Sequence, residues 1–172
     1  MVVFYLIGIY NKFVSKRSHM EEGWSGIDVQ LKKRYNLIPN LVETVKGYAK
    51  HEQETLNGVI EARNSALKAD GVAAQTQAEN QLNSALANVF ALSEAYPDLK
   101  ANTNFLQLQD KLTAIEGDVE KARRYYNATV RENNIMVESF PSSIIANFAS
   151  FGLGQFFEIE EASQRSAPEV KF

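Results

Sequence analysis

The sequence predicts an all-α protein built as an antiparallel up-and-down four-helix bundle with long helices. Glycine and proline number only 9 and 4 in 172 residues, which suits helices better than a turn-rich sheet protein. Apolar residues recur at spacings of three and four over long stretches, and no alternating pattern typical of strands competes with them. A chain of this length with 45% hydrophobic residues is expected to form one domain with a sizeable core.

The chain begins with ten apolar residues, Met1 to Tyr10, without interruption. A helix of ten residues rises about 15 Å, which is roughly half of a bilayer core. Lys12, Lys16 and Arg17 follow this segment, and no basic residues precede it, which argues against a signal peptide. We interpret the segment either as a buried helix start or as the last part of a membrane anchor whose beginning lies outside this chain.

The first helix is predicted from about Tyr5 to Leu37, and Pro39 is expected to begin the second. Proline inside a helix loses a hydrogen bond and clashes with the carbonyl four residues earlier, which costs about 3 kcal/mol. At the first helical position it costs little. We therefore expect a sharp turn between two antiparallel helices at Pro39. One kinked helix is the alternative, because the apolar seam continues in register across the proline. The second helix is expected to fade near Gly71.

The third helix is predicted from about Val72 to Ala95, after which the sequence YPDLKAN breaks the chain. The fourth helix has the most regular pattern, and Pro141 is expected to end it. Its seam alternates spacings of three and four over about five heptads, as in a bundle or coiled coil. The seam consists of Phe105, Leu108, Leu112, Ile115, Val119, Ala122, Tyr126, Thr129, Asn133, Met136 and Phe140.

The segment between Glu138 and Glu158 contains no charged residue and is rich in aromatic side chains. Its Ser, Asn, Gln and Gly residues make it a poor membrane-spanning helix. It is predicted to be an apolar strap that packs over the open end of the bundle, or else a membrane-interface or partner-docking patch. The candidate contact residues are Phe148, Phe151, Phe156 and Phe157. We accordingly divide the chain into an anchor segment (1–10), a bundle domain (11–140) and a strap with a polar tail (141–172).

Composition excludes several classes of function. The net charge is −3 and the basic residues are spread along the chain, which argues against binding to nucleic acid. Cysteine is absent, so disulfides, thiolate zinc sites and thiol nucleophiles are excluded. Lys16 and Tyr48 stand three positions before the two histidines, where a di-iron bundle site requires glutamate. We predict no cofactor, no metal, no catalytic residues and no enzymatic activity.

Several polar residues fall at or beside positions that should face the core. Unpaired charges there would be expensive, so we expect pairing across helices. Three interpretations stay open: fixing of helix register, as a buried Asn does in coiled coils, a solvated bundle end, or a ligand or partner pocket. The candidates are Arg34, Asn36, Asn40, Glu52, Arg63, Tyr126 and Asn133.

Three stretches of the chain resemble the LemA family of bacterial membrane proteins. They are WSGIDVQLKKRYNLIPNLVETVKGYAKHE, ALSEAYPDLKANTNFLQLQDKLTAIEGDVEKARRYYNATVRENN and SFPSSIIANF. The resemblance runs from about Asn11 to the C-terminus, with the motifs in the same order and spacing. It implies a single N-terminal transmembrane helix followed by an antiparallel helical bundle, with residues 1–10 as the remnant of that anchor, and it supports the turn at Pro39. It implies no reaction and assigns no catalytic residues.

From these observations we expect a non-catalytic scaffold in the cytoplasmic membrane that crosses it once and binds another membrane or envelope protein, with no nucleic-acid partner. The basic residues that follow the anchor favour a bundle on the cytosolic side, by the positive-inside bias. Two alternatives are a lipid-interacting module that uses the Phe-rich tail and a small-ligand receptor that uses the polar residues of the seam.

Overall fold

The computed structural model describes residues 1–159, which fold into helices without any strand in that range. The predicted all-α class is therefore confirmed. The polar end of the predicted tail, residues 160–172, lies outside the described residues. The helices are α1 (Val2–Tyr48), α2 (Gln53–Lys68), α3 (Val72–Ser93), α4 (Pro97–Lys100), α5 (Thr103–Glu138) and α6 (Ser142–Phe148).

The sharp turn expected at Pro39 is wrong, because α1 continues through this residue and ends at Tyr48. The chain turns instead at residues 49–52, and the second helix begins at Gln53. The seam that runs in register across the proline reflects this single helix, since its members are buried on both sides of Pro39. They are Leu31, Ile38, Leu41, Val42 and Val45.

The remaining helix boundaries lie close to the predicted ones. Gly71 separates α2 from α3 with a φ of +82°, a conformation that glycine adopts readily because it lacks a Cβ. The sequence YPDLKAN holds the short helix α4 between α3 and α5.

The predicted seam of the fourth helix fails at its last member. Phe140 lies beyond the end of α5 and is exposed. The hydroxyl of Ser142 donates to the carbonyl of Met136 at 2.7 Å, which draws the chain back onto the end of α5.

Two compact units divide the described chain. The first, called here the strap unit, comprises residues 1–32 and 116–157. The second, called here the network unit, contains residues 33–115. Helices α1 and α5 contribute one part to each unit. The three segments drawn from the sequence, 1–10, 11–140 and 141–172, remain a prediction.

In the strap unit, helix α1 approaches α5 closely at Gly23. A Cβ added to this glycine would lie 3.1 Å from the Cα of Tyr126, so a larger residue would require the two helices to shift by a few tenths of an ångström. Nearer the start of α1, Ile9 and Phe13 are buried together with Ala146 of α6. No helix in residues 1–159 is both long enough and apolar enough to cross a bilayer.

In the network unit, helices α2 and α3 pack against each other. The buried residues come from every helix of the unit, and they are mainly aliphatic. They include Ile38, Val45, Leu56, Val59, Leu82, Leu86, Val89, Leu99 and Phe105.

Candidate functional site

A buried ion pair joins α1 to α3 in the network unit. Arg34 Nη1 lies 3.1 Å from Glu79 Oε2, and the two side chains are 3% and 0% exposed. Arg34 Nη2 also donates to Asn83 Oδ1 at 2.5 Å. Removing two charges from water is costly, and both the pairing and the added hydrogen bonds offset that cost. Arg34, predicted to face the core, therefore lies inside a paired network.

A second set of hydrogen bonds extends this network to α2. The hydroxyl of Tyr35 donates to the carboxylate of Glu79. Gln75 Nε2 donates to the Tyr35 hydroxyl at 2.8 Å and to Glu79 Oε1 at 3.2 Å, and it also lies 3.4 Å from the carbonyl of Ala66. Burial, followed by the charge of Glu79, raises the pKa of Tyr35 well above its ordinary range. This phenol thus stays protonated as a donor to Glu79.

The side chain of Arg63 supplies a hydrogen-bond donor that Pro39 lacks. Proline has no N–H, so the carbonyl of Tyr35, four residues earlier, loses its helical donor. Arg63 Nε from α2 donates to that carbonyl at 2.8 Å. A side chain from a neighbouring helix thus replaces the missing backbone donor, and this explains how α1 contains a proline without ending there.

The other polar candidates near the proline lie outside this network. Asn36 and Asn40 are exposed, and the Asn40 carbonyl accepts a hydrogen bond of 2.8 Å from Thr44 Oγ1 within α1. Glu52 lies in the turn between α1 and α2, where it accepts a hydrogen bond of 3.1 Å from the hydroxyl of Tyr96. Of the four candidates before and in that turn, only Arg34 is buried.

Asparagine side chains of α5 hold a non-helical segment, residues 149–157, in the strap unit. Asn134 Nδ2 donates to the Gly154 carbonyl at 3.1 Å, and the Gly154 N–H donates to Asn134 Oδ1 at 2.8 Å. Asn127 makes the same pair of bonds with Phe157, at 3.0 and 2.9 Å. Asn133 Nδ2 donates to the Gly152 carbonyl at 3.1 Å. These three residues, Asn127, Asn133 and Asn134, are called here the amide clasp.

Aromatic rings fix the same segment on its inner side. Phe157 is fully buried and meets Trp24 edge to face at 5.3 Å between ring centroids. Tyr126 lies 5.4 Å from Trp24, and its hydroxyl donates to the Gln155 carbonyl at 2.9 Å. Burial raises the pKa of Tyr126. The predicted seam position of Tyr126 and the predicted strap therefore meet at one place.

The second inward ring is that of Phe151. It stacks on Phe13 at 4.7 Å, and the guanidinium of Arg17 lies 5.6 Å above it. Phe148 and Phe156, in contrast, are exposed. The four candidate phenylalanines thus divide into two that pack within the strap unit and two that face solvent.

Five residues that carry these arrangements were missed in the sequence. Glu79 and Gln75 lie on the seam of α3, at spacings of four and three that continue into Leu82, Leu86 and Val89, and this pattern could have found them. The others each lie one position beyond a seam residue, and no signal in the pattern distinguishes them; they are Asn83, Asn127 and Asn134.

An open groove follows the outward face of α3. None of the polar candidates Arg34, Asn40, Glu52 and Arg63 lines it. Its lining consists of Ala73, Thr76, Gln77, Asn80, Gln81, Ser84, Ala85 and Asn88. Within residues 1–159, no three His, Asp or Glu side chains are grouped so that they could hold a metal ion.

Comparison with known proteins defines the class. Residues 23–172 match a model of the LemA family, so the chain belongs to this family. The resemblance drawn from the sequence motifs is thereby confirmed.

Several relatives are similar to most of the chain. Protein LemA of Metamycoplasma hominis is 23% identical over 144 residues, covering 83% of this chain and 66% of the relative. Magnetosome protein MamQ 2 of Paramagnetospirillum magneticum is 21% identical over 179 residues, covering 89% of this chain and 66% of the relative. Magnetosome protein MamQ of Magnetospirillum gryphiswaldense matches with the same identity and coverage. The chain thus spans 66% of the length of these relatives.

Proposed function

We infer that this chain is a membrane-associated, non-catalytic interaction module of the bacterial cytoplasmic membrane, anchored through the first turns of α1. The observation that carries this inference is the exposure of apolar side chains there. Phe4, Tyr5 and Ile7 are 80%, 58% and 50% exposed. Removing apolar surface from water is worth about 25 cal/mol per Å². A helix that is apolar on all sides is typical of a segment surrounded by lipid or protein.

The proposed architecture outside the anchor is a four-helix bundle formed by parts of α1, α2, α3 and α5. Contacts within the network unit support it. Arg63 links α2 to α1, the Arg34–Glu79 pair links α1 to α3, and Phe90 of α3 meets Phe105 of α5 at 6.2 Å.

A scaffold role is favoured over a small-ligand receptor because the buried Arg34 and the half-buried Arg63 are already engaged within the protein. Arg34 and Arg63 bind Glu79 and a backbone carbonyl, respectively. The names of the relatives, Protein LemA and Magnetosome protein MamQ, specify no reaction. The proposed partner is another membrane or envelope protein, and the uncharged groove on α3 is its proposed contact surface.

Membrane association is tested by fractionating cells that express the chain. The native chain is expected in the membrane fraction of cells lysed at physiological ionic strength. Substitution of Phe4, Leu6 and Ile7 by serine should release it. A matched control replaces three apolar residues that are exposed elsewhere, Ile60, Leu67 and Leu106. A native chain that remains in the soluble fraction would contradict the proposal.

Orientation is tested with a single cysteine, because the chain contains none. Lys68 is the exposed last residue of α2, and Lys68→Cys should react with a membrane-impermeant maleimide only after lysis if the bundle is cytosolic. Ala66→Cys, at a buried position, is the control that should react poorly before and after lysis. Labelling of Lys68→Cys in intact cells would place the bundle on the opposite side.

The proposed partner surface is tested with a photoreactive amino acid at Gln77 in the α3 groove. A discrete cross-link to a membrane or envelope protein is expected. The same amino acid at Glu61, which is exposed on α2, serves as the control. Identical cross-linked products from both positions would argue against a specific partner surface on α3.

A further inference from the structure

Three apolar side chains near α6 face solvent at the end of the strap unit. Phe140, Ile144 and Phe148 are 82%, 58% and 92% exposed. Ile144 and Phe148 are four residues apart and so lie on the same face of α6. Phe140 lies just before that helix. These three residues are called here the outer ridge.

The outer ridge is not required by the core of the strap unit. The opposite face of α6 already packs inward, where Ser142 and Ala146 are buried and Ile145 contacts the cluster around Phe13. A short helix that packs on one face normally presents polar residues on the other. This helix presents Ile144 and Phe148 there, beside the exposed Asn147, and large exposed apolar side chains grouped in this way are typical of an interaction surface.

Charge favours a bilayer as the partner of this surface. No charged residue occurs from 139 to 157, so nothing on the segment opposes entry into an apolar layer. Exposed basic residues of α1 lie beside the segment that follows α6. Arg17 lies over the ring of Phe151, three residues beyond the end of α6, and Lys12, five residues before Arg17 on α1, is also exposed. Basic side chains beside an apolar surface attract acidic lipid headgroups.

Helix α6, which bears two of the ridge residues, packs against the apolar start of α1, because Ile9 and Ala146 are buried in one cluster. Next to this cluster, Phe151 contacts Tyr10 at 5.5 Å and stacks on Phe13 at 4.7 Å between ring centroids. The exposed first turns of α1 and the α6 segment therefore belong to one continuous part of the strap unit.

We propose that the outer ridge inserts into the interfacial layer of a bilayer that contains acidic lipids, as a second membrane contact beside the start of α1. The segment lies in the interface and does not span it, as amphipathic surface elements do. This proposal rests on the membrane association proposed above.

The first test measures the environment of a dye at the ridge in the full chain. Phe148→Cys carries an environment-sensitive fluorophore, and the protein is added to vesicles of phosphatidylcholine and phosphatidylglycerol. The emission of the dye is expected to shift to shorter wavelength when vesicles are added, and a quencher attached to the lipids should reduce its intensity. Leu67→Cys, at an exposed apolar position of the network unit, is the control and should remain aqueous.

The outcomes separate this proposal from the previous one. If the protein floats with the vesicles while the dye at position 148 stays aqueous, the ridge is not inserted, although membrane association through α1 stands. The ridge would then be assigned to a protein partner. If the protein does not float at all, both proposals fail.

The second test measures partitioning onto the same vesicles. Replacing Phe140, Ile144 and Phe148 by serine should weaken vesicle binding by at least about tenfold, because the buried apolar area is lost. The serine variants of Ile60, Leu67 and Leu106 should bind as the native chain does. Circular dichroism verifies that each variant is folded. Equal binding by the ridge variant and the native chain would overturn the proposal.

Discussion

In the network unit, a guanidinium binds the carbonyl that Pro39 leaves without a donor, whereas in the strap unit neutral amides bind the backbone of a whole non-helical segment. Arg63 performs the first task with one bond of 2.8 Å. Asn127 and Asn134 perform the second with four bonds between 2.8 and 3.1 Å. Both units therefore use side chains to satisfy backbone groups that have no partner in a helix.

Because the two units use different chemical groups, we expect them to respond differently to substitution. The network unit buries charges, and a buried charge that loses its partner is strongly destabilising. The strap unit uses neutral amides and aromatic rings, whose individual losses are smaller. Substitutions that unpair a buried charge in the network unit should therefore lower the free energy of unfolding strongly. Substitutions in the strap unit should lower it less and disturb mainly the residues around them.

The largest effect is expected from Arg34→Met, which leaves the carboxylate of Glu79 buried without its guanidinium. The free energy of unfolding should fall by roughly 3–5 kcal/mol. Urea denaturation followed by circular dichroism measures the change. The double variant Arg34→Met with Glu79→Leu is the control and should recover more than half of the loss, because the buried charge is gone. A loss below about 1 kcal/mol in the single variant would remove the contrast between the two units.

A smaller and more local effect is expected from Asn134→Ala, which removes both bonds to Gly154. Because Gly154 is only half-buried, water can reach its backbone groups, and each lost hydrogen bond should cost about 0.5–1.5 kcal/mol. The sole tryptophan, Trp24, contacts Phe157 of the same segment, so its fluorescence should report the loosened strap. Asn88→Ala, at an exposed position of α3, should leave both fluorescence and stability unchanged. Unaltered Trp24 emission in Asn134→Ala would mean that the amide clasp does not hold residues 149–157 in place.

Gly23→Ala tests the close approach of α1 and α5 in the strap unit. The added Cβ would lie 3.1 Å from the backbone Cα of Tyr126, and overpacking of this kind costs about 1–3 kcal/mol. Gly26→Ala is the matched control in the same helix, because no atom lies within 4 Å of its Cβ position. Thermal unfolding should show Gly23→Ala destabilised and Gly26→Ala slightly stabilised, by about 0.5–1 kcal/mol. Stabilisation by both would show that the helices tolerate wider spacing.

The last effect is confined to alkaline pH and concerns the proton on Tyr35. Its pKa is raised in the folded protein, so above pH 10.0, the ordinary tyrosine value, the folded state keeps a proton that the unfolded state has lost. The contribution to stability is complete below that pH and declines as the pH rises further. Tyr35→Phe should therefore flatten the fall in unfolding free energy above pH 10, while Tyr125→Phe, on an exposed ring, should not. Equal slopes for the two variants would contradict this.

Much of the fold could be predicted from periodicity alone. The seam of α5 holds from Phe105 to Met136, and Gly71 marks the break between α2 and α3. The prediction of a turn at Pro39 was wrong because the missing backbone donor is replaced by Arg63, which lies 28 residues after Tyr35, whose carbonyl accepts the bond. A local pattern contains no information on such a distant donor.

The candidate site could be predicted only in part. Arg34 and Arg63 were recognised because charged residues stand out at core-facing positions. Glu79 could have been recognised by the same reasoning applied to α3. The sequence could not predict which of the phenylalanines Phe148, Phe151 and Phe157 face solvent and which pack inward. A segment without regular structure has no fixed period from which to infer burial.

A double-mutant cycle of Pro39→Ala and Arg63→Met determines whether the Arg63 side chain replaces the backbone donor that Pro39 lacks. In the native background Arg63→Met should cost about 1–3 kcal/mol, because the Tyr35 carbonyl is left without a donor. In the Pro39→Ala background the restored N–H at position 39 can supply that bond, so the cost should be smaller by at least about 1 kcal/mol. Equal costs in both backgrounds would show that Arg63 does not act as the substitute donor.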